Sequence, residues 1–365
     1  MSGRISQRKI DHLRICATKD VQSSGVTGFE DLTLMHNSLP EIDAADVELG
    51  TVLLDHHLSA PLVIEAMTGG AQEAKPINKR LAAAAKEYGI AMGVGSQRAA
   101  IEKDSLVSTF SIARETAPEA FLIANIGAPQ LSAGYGVEEA KKAVEMISAD
   151  ALAIHLNPLQ ESIQPEGEAK GRGVIQKIAE IADNVDVPLI VKETGAGISG
   201  VTAKRLREAG ASAIDVSGRG GTDWAKVEAY RPRASPELIS KADAFSMWGI
   251  STVASILEVT QSTEVTVIAS GGLRNGVDAA KSIALGATGA GFASQLLVAA
   301  MTNEKSLFRR IDRILDELKT AMFLTGSKTV EDLKRVDLVI SGQTLNWAMQ
   351  RGLDAERYAR RTRIG

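Results

Sequence analysis

The stretch Ala151-Leu152-Ala153-Ile154-His155-Leu156-Asn157-Pro158-Leu159-Gln160-Glu161 joins a short apolar run to a histidine, two side-chain amides and a carboxylate. The apolar run has the length and character of a buried strand, so the polar cluster stands where a strand ends. Similar runs recur at 62–66, 90–94, 121–125, 189–192, 213–217, 265–270 and 290–292. Between them lie amphipathic segments at 78–88, 137–148, 174–184, 202–209 and 276–285, three of them closed by Gly89, Gly210 and Gly286. Strands alternating with helices predict parallel pairing. Eight of them predict an α/β protein built on a closed (β/α)8 TIM barrel. A doubly wound sheet would open on a glycine-rich dinucleotide turn, and Met67-Thr68-Gly69-Gly70 does not match that fingerprint.

The chain has 365 residues, and such a barrel takes about 250. The rest is assigned to additions within one domain: an N-terminal extension over 1–60, the barrel over 61–300 and C-terminal helices over 301–365. Within the last part, 306–320 and 345–351 read as helical. Residues 219–248, after the sixth strand, exceed a plain turn and are predicted to form a lid or substrate loop. Apolar residues make up 44% but aromatics only 4%, so Ala, Val, Ile and Leu must fill the core. A net charge of −4 argues against nucleic acid as a partner. With Cys16 alone, no disulfide can form within the chain and a cytoplasmic location is expected. The N-terminal residues lack the apolar core of a secretory leader, and no run reaches the roughly 18 apolar residues of a membrane span.

Barrel chemistry is done at the C-terminal ends of the strands. After strand seven, Ser270-Gly271-Gly272-Leu273-Arg274-Asn275 has the character of a phosphate loop, in which glycine admits backbone N–H groups and a following helix start favours an anion. Ala293-Ser294, after strand eight, is the natural partner site. Lys192 closes an apolar run and needs an anionic partner. That partner is either a neighbouring acid such as Glu193 or, as we favour, an electron-rich cofactor ring or developing anion. Arg8, Lys9 and His12, with Arg98 after strand two, form a basic cluster suited to a diphosphate. Glu161 suits Mg²⁺, which takes few protein carboxylates and completes its shell with water and substrate phosphates. Zinc is not expected, given the lone cysteine and the absence of paired-histidine spacing. The strand ends show no obvious carboxylate dyad for acid–base work.

Taken in order, several motifs resemble those of the type 2, FMN-dependent isopentenyl-diphosphate isomerases. They are Arg8-Lys9 with His12, Met67-Thr68-Gly69-Gly70, Gly95-Ser96-Gln97-Arg98, Asn125-Ile126-Gly127, His155-Leu156-Asn157 with Gln160-Glu161, Lys192-Glu193, Gly220-Gly221-Thr222 with Trp224, and Ser270-Gly271-Gly272. The resemblance implies interconversion of isopentenyl and dimethylallyl diphosphate, an isoprenoid diphosphate substrate. It implies FMN contacts at Ala66, Met67, Thr68, Ser96, Asn125, Lys192, Ser217 and Thr222, with the FMN phosphate at Gly272, Leu273, Arg274, Ala293 and Ser294. Substrate would meet Arg8, Lys9, His12, Ser96, Gln97, Arg98, His155, Asn157 and Gln160. Glu161 would ligate Mg²⁺. His155, Gln160 and Lys192 would be catalytic, with reduced FMN as the acid and base and NADPH as the reductant that primes it. The resemblance also implies a homotetramer. In this chain Asp223 stands where some members carry Ser.

Two other barrel enzymes fit less well. A 2-hydroxy acid oxidase needs a catalytic histidine after a late strand, and the five histidines, at 12, 36, 56, 57 and 155, supply none beyond strand four. A dehydrogenase of inosine monophosphate needs a nucleophilic cysteine, and none follows Cys16.

Overall fold

In a computed structural model, residues 2–361 are described, apart from 168 and 233, and residues 2–6 by their backbone alone. Eight strands close a barrel: β1 (Leu62–Ile64), β2 (Ala91–Gly93), β3 (Leu122–Gly127), β4 (Ala151–His155), β5 (Leu189–Lys192), β6 (Ala213–Asp215), β7 (Thr266–Ala269) and β8 (Gly289–Phe292). Neighbours in the barrel are neighbours in sequence, every pair is parallel, and β8 closes on β1. The predicted architecture is the observed one.

Side-chain alternation splits the barrel core in two. Val63, Ala91, Ile123, Ala151, Ala153, Ile190, Ala213 and Ile268 point inward and pack together. Small residues dominate because eight strands leave just enough interior for side chains to fill. A hairpin of Thr51–Leu53 and His56–Leu58 closes this interior, adding Leu53 and Leu58 to the same cluster. The alternate residues, such as Ile64, Met92, Leu152 and Val191, face outward into the larger core beneath the helices.

Two strands run further than their apolar runs suggested. β3 continues through Asn125 to Gly127 and β4 includes His155, because the hydrogen-bond ladder continues regardless of side-chain polarity. The register pairs Gly127 with His155, His155 with Lys192, and Lys192 with Asp215. Three polar side chains are thereby brought to one level on adjacent strands. β6, in contrast, stops two residues short of expectation, and Ser217 sits in the left-handed region at φ 34°.

The expected lid loop is corrected. Residues 219–248 contain two helices, Trp224–Ala229 and Pro236–Ala244, each with a capped start. Asp223 accepts hydrogen bonds from the Ala225 and Lys226 N–H groups, and Ser235 caps the second helix by accepting from Leu238. The same Ser or Asp before a helix is a sequence signal that length alone obscured.

The two ends of the chain meet outside the barrel. Leu32–Leu34 pairs antiparallel with Leu338–Ile340, tying the N-terminal extension to the C-terminal part. The N-terminal helix, Ser2–Thr18, packs against helices Arg98–Glu102, Trp224–Ala229 and Ser294–Thr302, all of which follow strand ends. It therefore crosses the mouth of the barrel.

Candidate active site

At that mouth lies a cavity with about 1600 Å³ of empty space, open mouth included. Every residue that the sequence marked for FMN, substrate or metal lines it, except Gln97. Gln97 is fully buried and faces away: its amide donates to the Ala143 carbonyl at 2.8 Å, and its oxygen accepts from the Asn125 N–H at 2.8 Å. It positions Asn125, whose own amide donates to Val94 O at 3.1 Å.

Lys192 forms the centre of the floor. Its ammonium lies 3.2 Å from Asp215 and 3.5 Å from Glu65, and donates to the Glu193 carbonyl at 2.9 Å. Its anionic partners are thus carboxylates from β6 and from the residue after β1. The Glu193 carboxylate turns elsewhere, accepting the N–H groups of Thr194, Gly195 and Ala196 and fixing the turn after β5. Ser270 donates to Asp215. Burial alone would lower the Lys192 pKa, but Asp215 and Glu65 raise it, so the ammonium stays charged. Glu65 is pushed up to about 8 by burial and by Asp215, with Lys192 opposing. The expectation that the strand ends hold no carboxylate dyad is corrected here. Glu65 and Asp215 form one, and the clue was a carboxylate inside each of two apolar runs.

His155 stands beside this floor. Its Nδ1 lies 2.9 Å from Asn125 Oδ1, an acceptor, which makes Nδ1 the protonated nitrogen of a neutral ring. Burial, then the charges of Lys192, Lys9 and Arg8, push its pKa down to about 3. His155 is neutral across the physiological range.

The cover is built from the N-terminal helix, helix Pro158–Ile163 and helix Trp224–Ala229. Its hub is Glu228, absent from the sequence-based set. Glu228 accepts from the Gln160 amide at 2.9 Å and from Arg231 at 2.8 Å, and lies 3.0 Å from His12 Nε2. Burial acts to raise its pKa, but these donors outweigh it and hold the carboxyl down to about 2. The His12 pKa is lowered mainly by burial, with Glu228 opposing, and its ring meets Trp224 edge-on at 5.3 Å. Gln160 is oriented from both sides, since its oxygen accepts from Asn157 at 3.1 Å, and the Asn157 amide also reaches Glu161 at 3.3 Å. A helix start at Asp223 places Trp224 and Glu228 four residues apart on one face.

The cationic wall faces the same space. Lys9 donates to Ser96 O at 3.2 Å, and Arg8 approaches Gln164 at 3.5 Å and Glu166 at 3.9 Å. Burial, and then Arg8, lower Lys9 to about 7, as expected of a cationic pair awaiting an anion. Arg98 pairs with Glu102 at 2.7 Å on the rim. Opposite, Gly271 and Gly272 adopt φ of 101° and 88°. A Cβ at Gly271 would overlap the Gly218 carbonyl, and one at Gly272 the Gly220 carbonyl. Only glycine lets the loops after β6 and β7 approach this closely. Arg274 braces them, donating to Gln22 and to Gly220 O. Among the described residues, no group of three or more His, Cys, Asp or Glu side chains forms a metal cage.

Residues 141–340 match the family described as FMN-dependent dehydrogenase. Over 358 residues the chain is 47% identical to an isopentenyl-diphosphate delta-isomerase from Methanothermobacter thermautotrophicus, covering 98% of this chain and 100% of that one. It is 46% identical to the enzyme of that name from Halobacterium salinarum, covering 96% and 98%. Among solved structures it is similar to a Pediococcus acidilactici lactate oxidase, with a TM-score of 0.64 at 18% identity over 91% of this chain and 87% of that one. A mandelate oxidase gives a TM-score of 0.62 at 16% identity over 93% and 99%. At such identity these two structures speak for the barrel fold alone.

Proposed function

This chain belongs to the type 2, FMN-dependent isopentenyl-diphosphate delta-isomerases, and on that premise we propose that its cavity interconverts isopentenyl and dimethylallyl diphosphate by a 1,3-allylic proton shift. The observation that carries this reading is the arrangement of the cavity. One wall is cationic, one is glycine-rich, and Lys192 lies between two carboxylates on the floor.

The donor set fits FMN. Thr68, 2% exposed, leaves its hydroxyl without a partner at the cavity wall, and Lys192 offers a buried cation. Ala66, Met67, Thr68, Ser96, Asn125, Lys192, Ser217 and Thr222 would hold the ring and its chain. Gly272, Leu273, Arg274, Ala293 and Ser294 would hold the phosphate, aided by the dipole of helix Ser294–Thr302. When reduced, the cofactor supplies proton donation and acceptance at the allylic carbons. Mg²⁺ fits only as an ion shared with the diphosphate, with Glu161 its protein carboxylate.

Arg8, Lys9 and Arg98 neutralise the diphosphate. Neutral His155 presents Nε2 as an acceptor because Nδ1 is engaged with Asn125. Asn157 has a buried oxygen without a partner at the same wall, suited to a substrate or metal-bound water donor. Glu228 fixes the Gln160 amide, and the N-terminal helix covers part of the mouth. NADPH as the priming reductant and a homotetrameric assembly rest on the family resemblance, and a cytoplasmic location on the lone Cys16. No helix among the described residues is long and apolar enough to cross a membrane.

The test is an anaerobic assay of the FMN-loaded protein with isopentenyl diphosphate, Mg²⁺ and NADPH, scored for dimethylallyl diphosphate. Product is expected only after reduction. Equal turnover in air without reductant would remove the case for flavin acid–base chemistry.

A further inference from the structure

Two buried carboxylates share one buried cation in the barrel floor. Glu65 is 6% exposed and Asp215 is 2%, and Lys192 stands between them. Asp215 is saturated by Lys192 and by the Ser270 hydroxyl. Glu65 is not: its Oε2 faces Lys192, but its Oε1 is buried without a hydrogen-bond partner. That oxygen occupies space left by a missing side chain, because a Cβ at Gly291 would overlap it. Glu65 and Gly291 both line the cavity. With all three groups ionised, the cluster carries one uncompensated negative charge in a buried site, which is costly.

We propose that Glu65 is a positioning residue for the flavin: it takes up one proton when the cofactor gains two electrons, so that the floor beside Lys192 stays matched to the cofactor's charge. This rests on FMN occupying the cavity. The balance is simple. A dihydronicotinamide passes a hydride to the flavin, which leaves the flavin one unit more negative, and is itself oxidised to the nicotinamide cation. The Glu65 carboxylate then takes one proton from solvent and becomes a neutral acid. No covalent bond to Glu65 forms or breaks apart from that O–H.

The charged groups facing Glu65 are Lys192 from β5 and Asp215 from β6. Ser270 from β7 and Gly291 from β8 add no charge. Glu193 and His155 act on it through Lys192, whose charge both feel. In the free protein, burial and Asp215 push Glu65 up to about 8, with Lys192 opposing. Below that, Glu65 is protonated in both redox states and contributes no uptake. Above it, the oxidised enzyme holds a carboxylate, and reduction draws in a proton.

The experiment is to reduce the FMN-loaded enzyme with NADPH in weak buffer and count protons with an indicator dye, at about pH 7 and about pH 9. Wild type should take up close to one more proton per flavin at the higher pH. The reduced flavin holds fewer protons as pH rises, and the oxidised ring's own N–H ionises only at more alkaline pH, so a rise between these two values points to a protein group. Glu65→Gln should abolish the rise. In equilibrium titrations, the wild-type potential should steepen above pH 8 by one proton per two electrons, a tenfold change in equilibrium constant per pH unit or about 30 mV, while Glu65→Gln stays on the shallower line. Should that variant fail to fold, Glu65→Asp takes its place and should move the pH at which the rise sets in. Uptake in wild type that is flat or falling with pH overturns the proposal and leaves the flavin reading standing. A protein that takes up no FMN overturns both.

Discussion

The floor and the cover of this cavity are built by different physics. Lys192, Asp215, Glu65 and His155 sit on the barrel strands or at their ends, and strand register places them. His12, Gln160 and Glu228 sit on helices laid over the mouth, with Arg231 just past the end of one, and side-chain hydrogen bonds, most of them between distant segments, place them. The floor is held by the closed ladder of the barrel. The cover is held by a hub of one carboxylate and can be loosened one bond at a time. Damage to the floor should therefore cost stability and flavin binding together. Damage to the cover should cost turnover while flavin stays bound.

The largest effect should follow Lys192→Met. It leaves Asp215 and Glu65 without their cation, and removing one partner of a buried pair costs about 3–5 kcal/mol. Protonation of Glu65 should hold the loss to the lower end. Urea unfolding and FMN titration should show both stability and affinity reduced. A variant of wild-type stability that still binds FMN would break the distinction between floor and cover.

A smaller effect belongs to the cationic wall. Lys9 stands near pKa 7 in the free protein, and a bound diphosphate must raise it. Because the bound form has the higher pKa, binding takes up a proton above pH 7 and releases none below about pH 6. Calorimetry of diphosphate binding in buffers of different ionisation heat should show that uptake at pH 8, and Lys9→Met should abolish it. The smallest effect should be Asp223→Ser, since serine caps a helix as aspartate does. Asp223→Ala should cost about 1 kcal/mol in thermal unfolding.

The same contrast explains what the sequence made legible. Eight apolar runs and their helices follow from local patterning, so the barrel and its strand ends could be read directly. Lys192 was visible as a charge closing such a run. Its partners were less so, because Glu65 and Asp215 were absorbed into the strands they belong to, and only register shows which strands face each other at that level. Gln97 stood in a strand-end motif, yet its side chain turns to Ala143 and Asn125. Position in a motif does not say which way a side chain points. Glu228 was hidden for a different reason. Its partners lie 216 residues away at His12 and 68 away at Gln160, and no local pattern encodes a contact of that span. The basic N-terminal residues were legible as a charge cluster but not as a helix lying across this chain's own barrel.

The division between floor and cover is tested most directly by Glu228→Gln, assayed for bound FMN and for anaerobic turnover of isopentenyl diphosphate on one preparation. The expected result is full flavin content with turnover reduced about 10²-fold or more, because the Gln160 amide and the His12 ring lose the acceptor that orients them. Wild-type turnover, or loss of flavin in step with activity, would contradict it.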